Sequence, residues 1–255
     1  MTERMPVLFV GHGNPMNAIE DNEFSRAWIE VGKSLPRPKA ILCISAHWET
    51  EGTQVTAMEK PRTIHDFYGF PPELYAKTYP APGSPPIAER VRSLPIFTTS
   101  PDLEWGLDHG TWSVLARLFP NADVPVVQLS LDVKKSPQEH YDAGKQIKNL
   151  RDEGVLIVGS GNIVHNLGMV VWEEQAYDWA AEFDSKVRQW ILDDNHEPII
   201  HYEQQGRAAA LAINSAEHYK PLLYVLGAKE AGEPVGFFAE KVGYGSLSMR
   251  GVRVG

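Results

Sequence analysis

The chain has 255 residues, of which 43% are apolar and 22% charged, with a formal charge of −9 and a pI near 5.5. This is the composition of a globular protein with material for a sizeable core. Its acidic balance, with no basic run longer than Lys134-Lys135, excludes nucleic acid or an anionic membrane surface as the main partner.

No stretch approaches the ~18 consecutive apolar residues of a membrane span, and Met1-Thr2-Glu3-Arg4 lacks the apolar segment of a signal peptide. A cytoplasmic protein is expected, with no membrane partner. A single domain over residues 1–255 is expected too, because no linker, repeat or composition shift divides the chain.

The first apolar run, 7–10, reads as a strand and ends in Gly11-His12-Gly13-Asn14-Pro15-Met16. That turn lacks the G-x-G-x-x-G continuation and the G-K-[ST] ending of phosphate loops, while its glycines leave space around His12. Helical spacing follows over 23–35. A second strand, 40–45, contains the only cysteine, Cys43, which reads as a small buried hydrophobe. It delivers Ala46-His47-Trp48-Glu49 at its carboxyl end, the edge where open α/β sheets bind ligands. A strand over 54–57 precedes Thr63-Ile64-His65-Asp66-Phe67-Tyr68, in which His65, Phe67 and Tyr68 suit either a pocket wall for a planar substrate or a well-packed loop.

The rigid loop 80–86 leads through Ser84-Pro85 into a helix over 85–94. Asp108-His109-Gly110 precedes a helix over 112–119; it serves either as a capping segment or as the place where an imidazole meets a substrate oxygen. The nearly all-apolar runs 124–129 and 155–158 read as central strands covered on both faces. Between them Ser136, Pro137 and Glu139 mark the start of a helix over 138–153. After the second run comes Gly159-Ser160-Gly161-Asn162-Ile163-Val164-His165. Val158 and Asn162 occupy the outer positions around Ser160, so the G-x-S-x-G nucleophile elbow is absent, and Ser160 and Asn162 are expected to orient His165.

Residues 177–193 read as a helix, 222–226 as a strand behind Ala216-Glu217-His218, and the alternating tail 245–254 as a half-exposed or edge strand. His140, His196 and His201 have polar neighbours and no strand behind them, and are expected at the surface. The alternation predicts an α/β fold: a central, largely parallel or mixed sheet flanked by helices on both faces.

His12, His47, His165 and His218 each stand just past an apolar run or in a polar turn, the placement an α/β protein uses to gather imidazoles around one metal ion. With their neighbours, these segments resemble the class III extradiol ring-cleavage dioxygenases, the family named for the protocatechuate 4,5-dioxygenase β subunit, and within it the 4,5-DOPA dioxygenase branch. The resemblance is carried in order by Gly11-His12-Gly13-Asn14-Pro15-Met16, Ser45-Ala46-His47-Trp48, Ile64-His65-Asp66-Phe67, Tyr79-Pro80-Ala81-Pro82-Gly83, Asp108-His109-Gly110, Ser160-Gly161-Asn162 through His165-Asn166-Leu167, and Glu217-His218-Tyr219-Lys220-Pro221-Leu222.

The resemblance implies that His12, His47 and His218 are metal ligands and that His165 is the acid-base residue, close enough to become a fourth ligand. It makes His109 a neighbour of the substrate oxygens. The well-studied members have a glutamate at the third ligand position, where this chain has His218, with Glu217 one residue earlier. One divalent metal ion per chain is implied. Fe(II) is expected for ring cleavage, while Zn(II) also fits as the bound species.

The expected activity is extradiol cleavage of an L-DOPA-like catechol by O2 to a ring-opened semialdehyde. The alternatives are a zinc-dependent hydrolase using a metal hydroxide and a non-catalytic metal-binding protein. Lys220, Arg62 and Lys241 are candidate partners for a substrate carboxylate. A homo-oligomer is compatible with the sequence.

Overall fold

The structure is a computed structural model and describes residues 4–95 and 98–255. Residues 1–3, read above for a leader, lie outside the described residues. The strands are β1 (Val7–Gly11), β2 (Ala40–Thr50), β3 (Thr53–Thr56), β4 (Thr99–Asp102), β5 (Val126–Asp132), β6 (Val155–Gly161), β7 (Val235–Phe238), β8 (Val242–Gly243), β9 (Leu247–Ser248) and β10 (Gly251–Val254). The helices are α1 (Glu23–Ser34), α2 (Pro72–Tyr75), α3 (Pro85–Arg92), α4 (His109–Leu118), α5 (Pro137–Ile147), α6 (Asp178–Leu192), α7 (Glu197–Ile200), α8 (Arg207–Ala212) and α9 (Lys220–Gly227).

Eight strands form one mixed sheet in the order β4-β3-β5-β2-β6-β1-β10-β7. Its centre, β5-β2-β6-β1, is parallel, as the unbroken apolar runs require. β10 and β7 extend one side antiparallel, and β3 pairs antiparallel with β5 on the other.

Alternate residues of each central strand enter two separate cores. Val7, Phe9, Leu42 and Ile44 pack with Ile147, Val187 and Leu222 on the face of α5, α6 and α9. Leu8, Val10, Ile41 and Cys43 pack with Trp28, Trp112 and Leu115 on the face of α1 and α4. The expected α/β sandwich is therefore present, with helices on both faces. Ser136 and Glu139 form the capping box of α5, and Ser84 caps α3.

The structure corrects several sequence expectations. Residues 222–226 are not a strand but lie in the buried helix α9, between β6 and α5. A short apolar run buried all round has no periodicity to tell helix from strand, and Pro221 at the first turn was the signal for a helix start.

The tail is not an edge: β10 lies between β1 and β7, with Val252 and Val254 fully buried. The half-exposed β7 takes the edge. The helix expected over 138–153 ends at Ile147 and tightens into a 3-10 turn. His140 is fully buried, its Nδ1 3.1 Å from the Tyr224 hydroxyl, because α5 turns it toward α9. His196 is mostly buried against Tyr141, whereas His201 is exposed.

Candidate active site

The parallel strands β1, β2 and β6 end side by side, and their carboxyl ends supply most of the site. His12 directly follows β1, its backbone N–H donating to Gly161 of β6. β2 loses register with β5 between Ile44 and Glu49, and His47 lies in that irregular stretch. The Ser45 hydroxyl sits beneath it, accepting from the His47 N–H and donating to Asp108.

His218 arrives differently. It stands in the turn between α8 and α9, and its carbonyl accepts from the Asn162 N–H just past β6. A Cβ on Gly161 would overlap that carbonyl, so the close approach requires glycine.

The ring centroids of His12, His47 and His218 form a nearly equilateral triangle, with sides of 5.0, 4.9 and 5.1 Å. This is roughly the spacing of three imidazoles sharing one ion at metal–nitrogen distances of about 2.1 Å. His12 Nε2 and His47 Nε2 face each other at 3.1 Å.

The outer nitrogens are engaged. Ser160 donates its one proton to the Gly110 carbonyl (2.6 Å), so toward His12 Nδ1 at 2.9 Å it acts as acceptor. The Asn162 amide donates to the Ser248 carbonyl (2.7 Å), which turns its oxygen to His218 Nδ1 at 3.2 Å. In both histidines Nδ1 therefore carries the proton and Nε2 keeps its lone pair for the site, the arrangement of metal-binding imidazoles. Ser160 and Asn162 thus hold His12 and His218, not His165 as the sequence suggested.

Burial, followed by the neighbouring imidazoles, drives His12 and His218 well below the ordinary histidine range. The same causes, partly offset by Asp66, push His47 down to about 3. Neutral imidazoles are what a metal needs. The donor set fits a borderline first-row ion such as Fe(II) or Zn(II).

His165 and His109 flank the triangle. The His165 ring stacks on His218 at 3.4 Å with 9° between planes. In-plane lone pairs of parallel rings do not converge on one point, so His165 and His218 do not offer themselves together to a single ion. Burial and then the charge of His109 push its pKa down to about 4, leaving it neutral and able to accept a proton.

His109 begins α4, whose cap is Asp108, so the segment is a helix cap that also brings the imidazole beside His47. Its ring lies 3.9 Å from His47 but 5.7 Å from His12, off the symmetric triangle. One nitrogen each from His12, His47 and His109 can nevertheless come within 4.8 Å, as can donor atoms of His165, Glu217 and His218. The even spacing and engaged Nδ1 atoms favour His218 over His109 as the third member.

Asp66 is the residue that sequence reasoning left without a role. Its Oδ1 accepts the His109 N–H at 2.8 Å, and its Oδ2 lies 3.0 Å from His109 Nδ1 and 3.6 Å from His47 Nδ1. The ring contact with His109 is a close approach without the alignment of a directed hydrogen bond. Burial pushes the carboxyl up, but His109 and then His47 outweigh it and hold it below the usual carboxylate range. An acid in an aromatic loop gave no sign that it would reach two imidazoles. Gln128, which donates to the buried Asp108, did leave a signal as the lone amide in the apolar run of β5.

Of the expected pocket wall, Phe67 comes nearest, its ring 5.6 Å from His109. His65 packs on Phe67 and Trp112, with Nε2 2.9 Å from the Lys77 carbonyl, and Tyr68 is 92% exposed. Lys220 is paired with Glu49, Lys241 with Glu23 and Glu174, and Arg62 donates to the Trp105 carbonyl. Cys43 is buried, and its thiol is pushed far up by burial. No helix among the described residues is long and apolar enough to cross a membrane.

Residues 7–254 match the family described as the catalytic LigB subunit of aromatic ring-opening dioxygenase. The chain is 48% identical to a protein of Escherichia coli (strain K12) named 4,5-DOPA dioxygenase extradiol, covering 99% of this chain and 95% of that protein. It is 40% identical to the Beta vulgaris protein of the same name, covering 89% and 87%. A crystal structure of an uncharacterized Escherichia coli K12 protein superimposes with a TM-score of 0.86 at 43% identity, covering 99% of this chain and all of that one. The chain belongs to the LigB family of aromatic ring-opening dioxygenases and is an extradiol ring-cleavage enzyme.

Proposed function

We propose that this enzyme opens the ring of an L-DOPA-like catechol beside its two hydroxyls, placing both atoms of O2 in a ring-opened semialdehyde. The observation that carries the reading is the even triangle of His12, His47 and His218 with the neutral His165 stacked on one corner. The names of the Escherichia coli and Beta vulgaris relatives support the choice of catechol. His12, His47 and His218 would hold one metal ion. Fe(II) there would pass electrons from the catecholate to O2, which Zn(II), with its filled d shell, does not do.

The protein's own part is to orient the substrate, move its protons and keep water out. His165 takes a proton from a catechol hydroxyl at its free ring nitrogen and returns one later in the reaction. His109, with Nδ1 turned to Asp66, presents Nε2 to the substrate oxygens. The Asp66 carboxylate, 3.0 Å from His109 Nδ1, fixes which way that ring faces. Phe67 gives the aromatic ring an apolar wall. His65 holds its loop by reaching the Lys77 carbonyl, and Tyr68, the exposed neighbour of Phe67 in the chain, is the residue of this loop offered to the substrate side chain.

The test is to load the chain anaerobically with Fe(II), add a catechol and admit air. The expected result is stoichiometric O2 uptake with a new yellow chromophore, and no uptake in a Zn(II)-loaded sample. Absence of uptake across L-DOPA, protocatechuate and unsubstituted catechol would overturn the reading.

A further inference from the structure

Behind the site lies a buried ionic network to which the ring-cleavage chemistry gives no part. Asp184, on α6, has a side chain only 2% exposed. Its Oδ1 accepts from the Ser248 hydroxyl at 2.5 Å, and its Oδ2 accepts from Arg250 Nε at 2.9 Å and Nη2 at 2.5 Å. Arg250 also reaches Glu240, which Arg188 holds from the surface side at 3.0 Å. Desolvating such a pair consumes much of its attraction, so a buried ion pair is weak evidence for stability and a better candidate for fixing one particular arrangement.

What it fixes is β9. That strand has two residues; it pairs with the equally short β8 and, through an isolated bridge at Leu247, with His165, so few backbone bonds share the work of setting its position with its side-chain anchor. Several ties run from it and the preceding serine to the site. The Ser248 carbonyl receives the Asn162 amide, which decides that Asn162 shows its oxygen to His218 Nδ1. The Ser248 N–H donates to Val164, and Leu247 bridges to His165. The Ser246 carbonyl accepts the Asn166 N–H while its hydroxyl donates to the Asn166 carbonyl. Both members of the stacked pair are therefore tied to one short strand whose side-chain anchor is Asp184, with the His165 N–H held in addition by the Ala212 carbonyl.

We infer that Asp184, Ser248 and Arg250 are positioning residues, which clamp β9 and thereby aim His218 Nε2 at the metal position and hold the His165 ring against it. None of the three touches substrate. The inference rests on the reading of His218 as a metal-holding residue.

The experiment strips the full-length chain with a chelator and titrates it with Zn(II) alone against a chromophoric competitor, then records the visible spectrum of the Co(II) form. Ser248→Ala removes one hydroxyl and no charge; Asp184→Asn removes the charge. Val187→Ala, on the same helix with its side chain in the core, supplies a loss of thermal stability that leaves the clamp intact. His218→Ala marks the loss of a ligand.

Removal of such outer partners costs roughly 10- to 100-fold in metal affinity. The expected result is that weakening in Ser248→Ala and Asp184→Asn, with a shifted Co(II) spectrum, while Val187→Ala lowers Tm but binds Zn(II) as the wild type does. If His218→Ala loses Zn(II) but both clamp variants stay within threefold of Val187→Ala, the network is merely structural and the inference is overturned. Should Asp184→Asn fail to fold, the uncharged Ser248→Ala decides by the same criterion. If His218→Ala binds Zn(II) like the wild type, the ligand reading itself has failed and the inference goes with it.

Discussion

Replacing His165 by alanine separates its two candidate roles. The imidazole lies parallel to His218 at 3.4 Å, so its removal takes away a stacking surface and a base but leaves His12 on Ser160 and His218 on Asn162. Metal affinity is expected to stay within about threefold, since second-shell changes that do matter cost 10-fold or more. Turnover is expected to fall by about 10²- to 10⁴-fold, the usual contribution of a positioned acid-base group, or about 3–5 kcal/mol in barrier height.

Burial has already pushed the His165 pKa down to about 4, so in the wild type the free imidazole stays neutral between pH 6 and 8 and its titration should not shape the activity profile there. Metal content by elemental analysis, together with O2 uptake on the Fe(II)-loaded protein, gives both quantities. Metal loss comparable to His218→Ala would make His165 a ligand and refute the parallel-ring argument. Wild-type turnover would refute its role as a base.

Ser160→Ala removes the acceptor from His12 Nδ1 and the donor to Gly110; it should weaken Zn(II) binding by roughly 10- to 100-fold, and unchanged binding in a competition titration would refute the orientation argument. Gly161→Ala drives a Cβ into the His218 carbonyl, so the turn must shift; a fall in Tm with loss of metal is expected, and a variant that keeps both would show that the approach is less tight than described. Acid sensitivity has a source outside the site. Burial and then the charge of Lys220 push His140 down to about 4, whereas the unfolded chain takes up that proton near 6.5. The stability this group provides is therefore complete above pH 6.5 and is lost as pH falls toward 4, on the order of 2 kcal/mol by pH 5. Urea midpoints of wild type and His140→Gln between pH 7 and 5 should diverge by that amount in the wild type's disfavour; parallel curves would refute it.

Much of the fold was legible because its signals are local. The nearly all-apolar runs at β5 and β6 read as central strands and the run at β1 as a strand, and Ser84 and Ser136 announced their helices through hydrogen bonds made within one turn. The histidines at the ends of β1 and β2 were legible for a related reason: an apolar strand fixes where its last residue emerges. α9 was not, since its burial comes from both β6 and α5 and erases the amphipathic period by which a helix is read. His140 was misread similarly, its polar sequence neighbours pointing to water while α5 turns it against Tyr224.

The amino-acid sequence by itself determined the α/β class, the family and which imidazoles are available for chemistry, because these follow from residue type, short-range spacing and motif order. The tertiary structure alone decided what each imidazole can do. The proton on His12 is placed by a serine 148 residues away and the proton on His218 by an amide 56 residues away. His165, stacked on His218, is bridged through its backbone to Ile213 and to Leu247 of β9, a strand too short to leave a pattern. Tautomer and ring direction are set by whichever donor or acceptor the fold brings within about 3 Å, and that distance is a property of the packed chain.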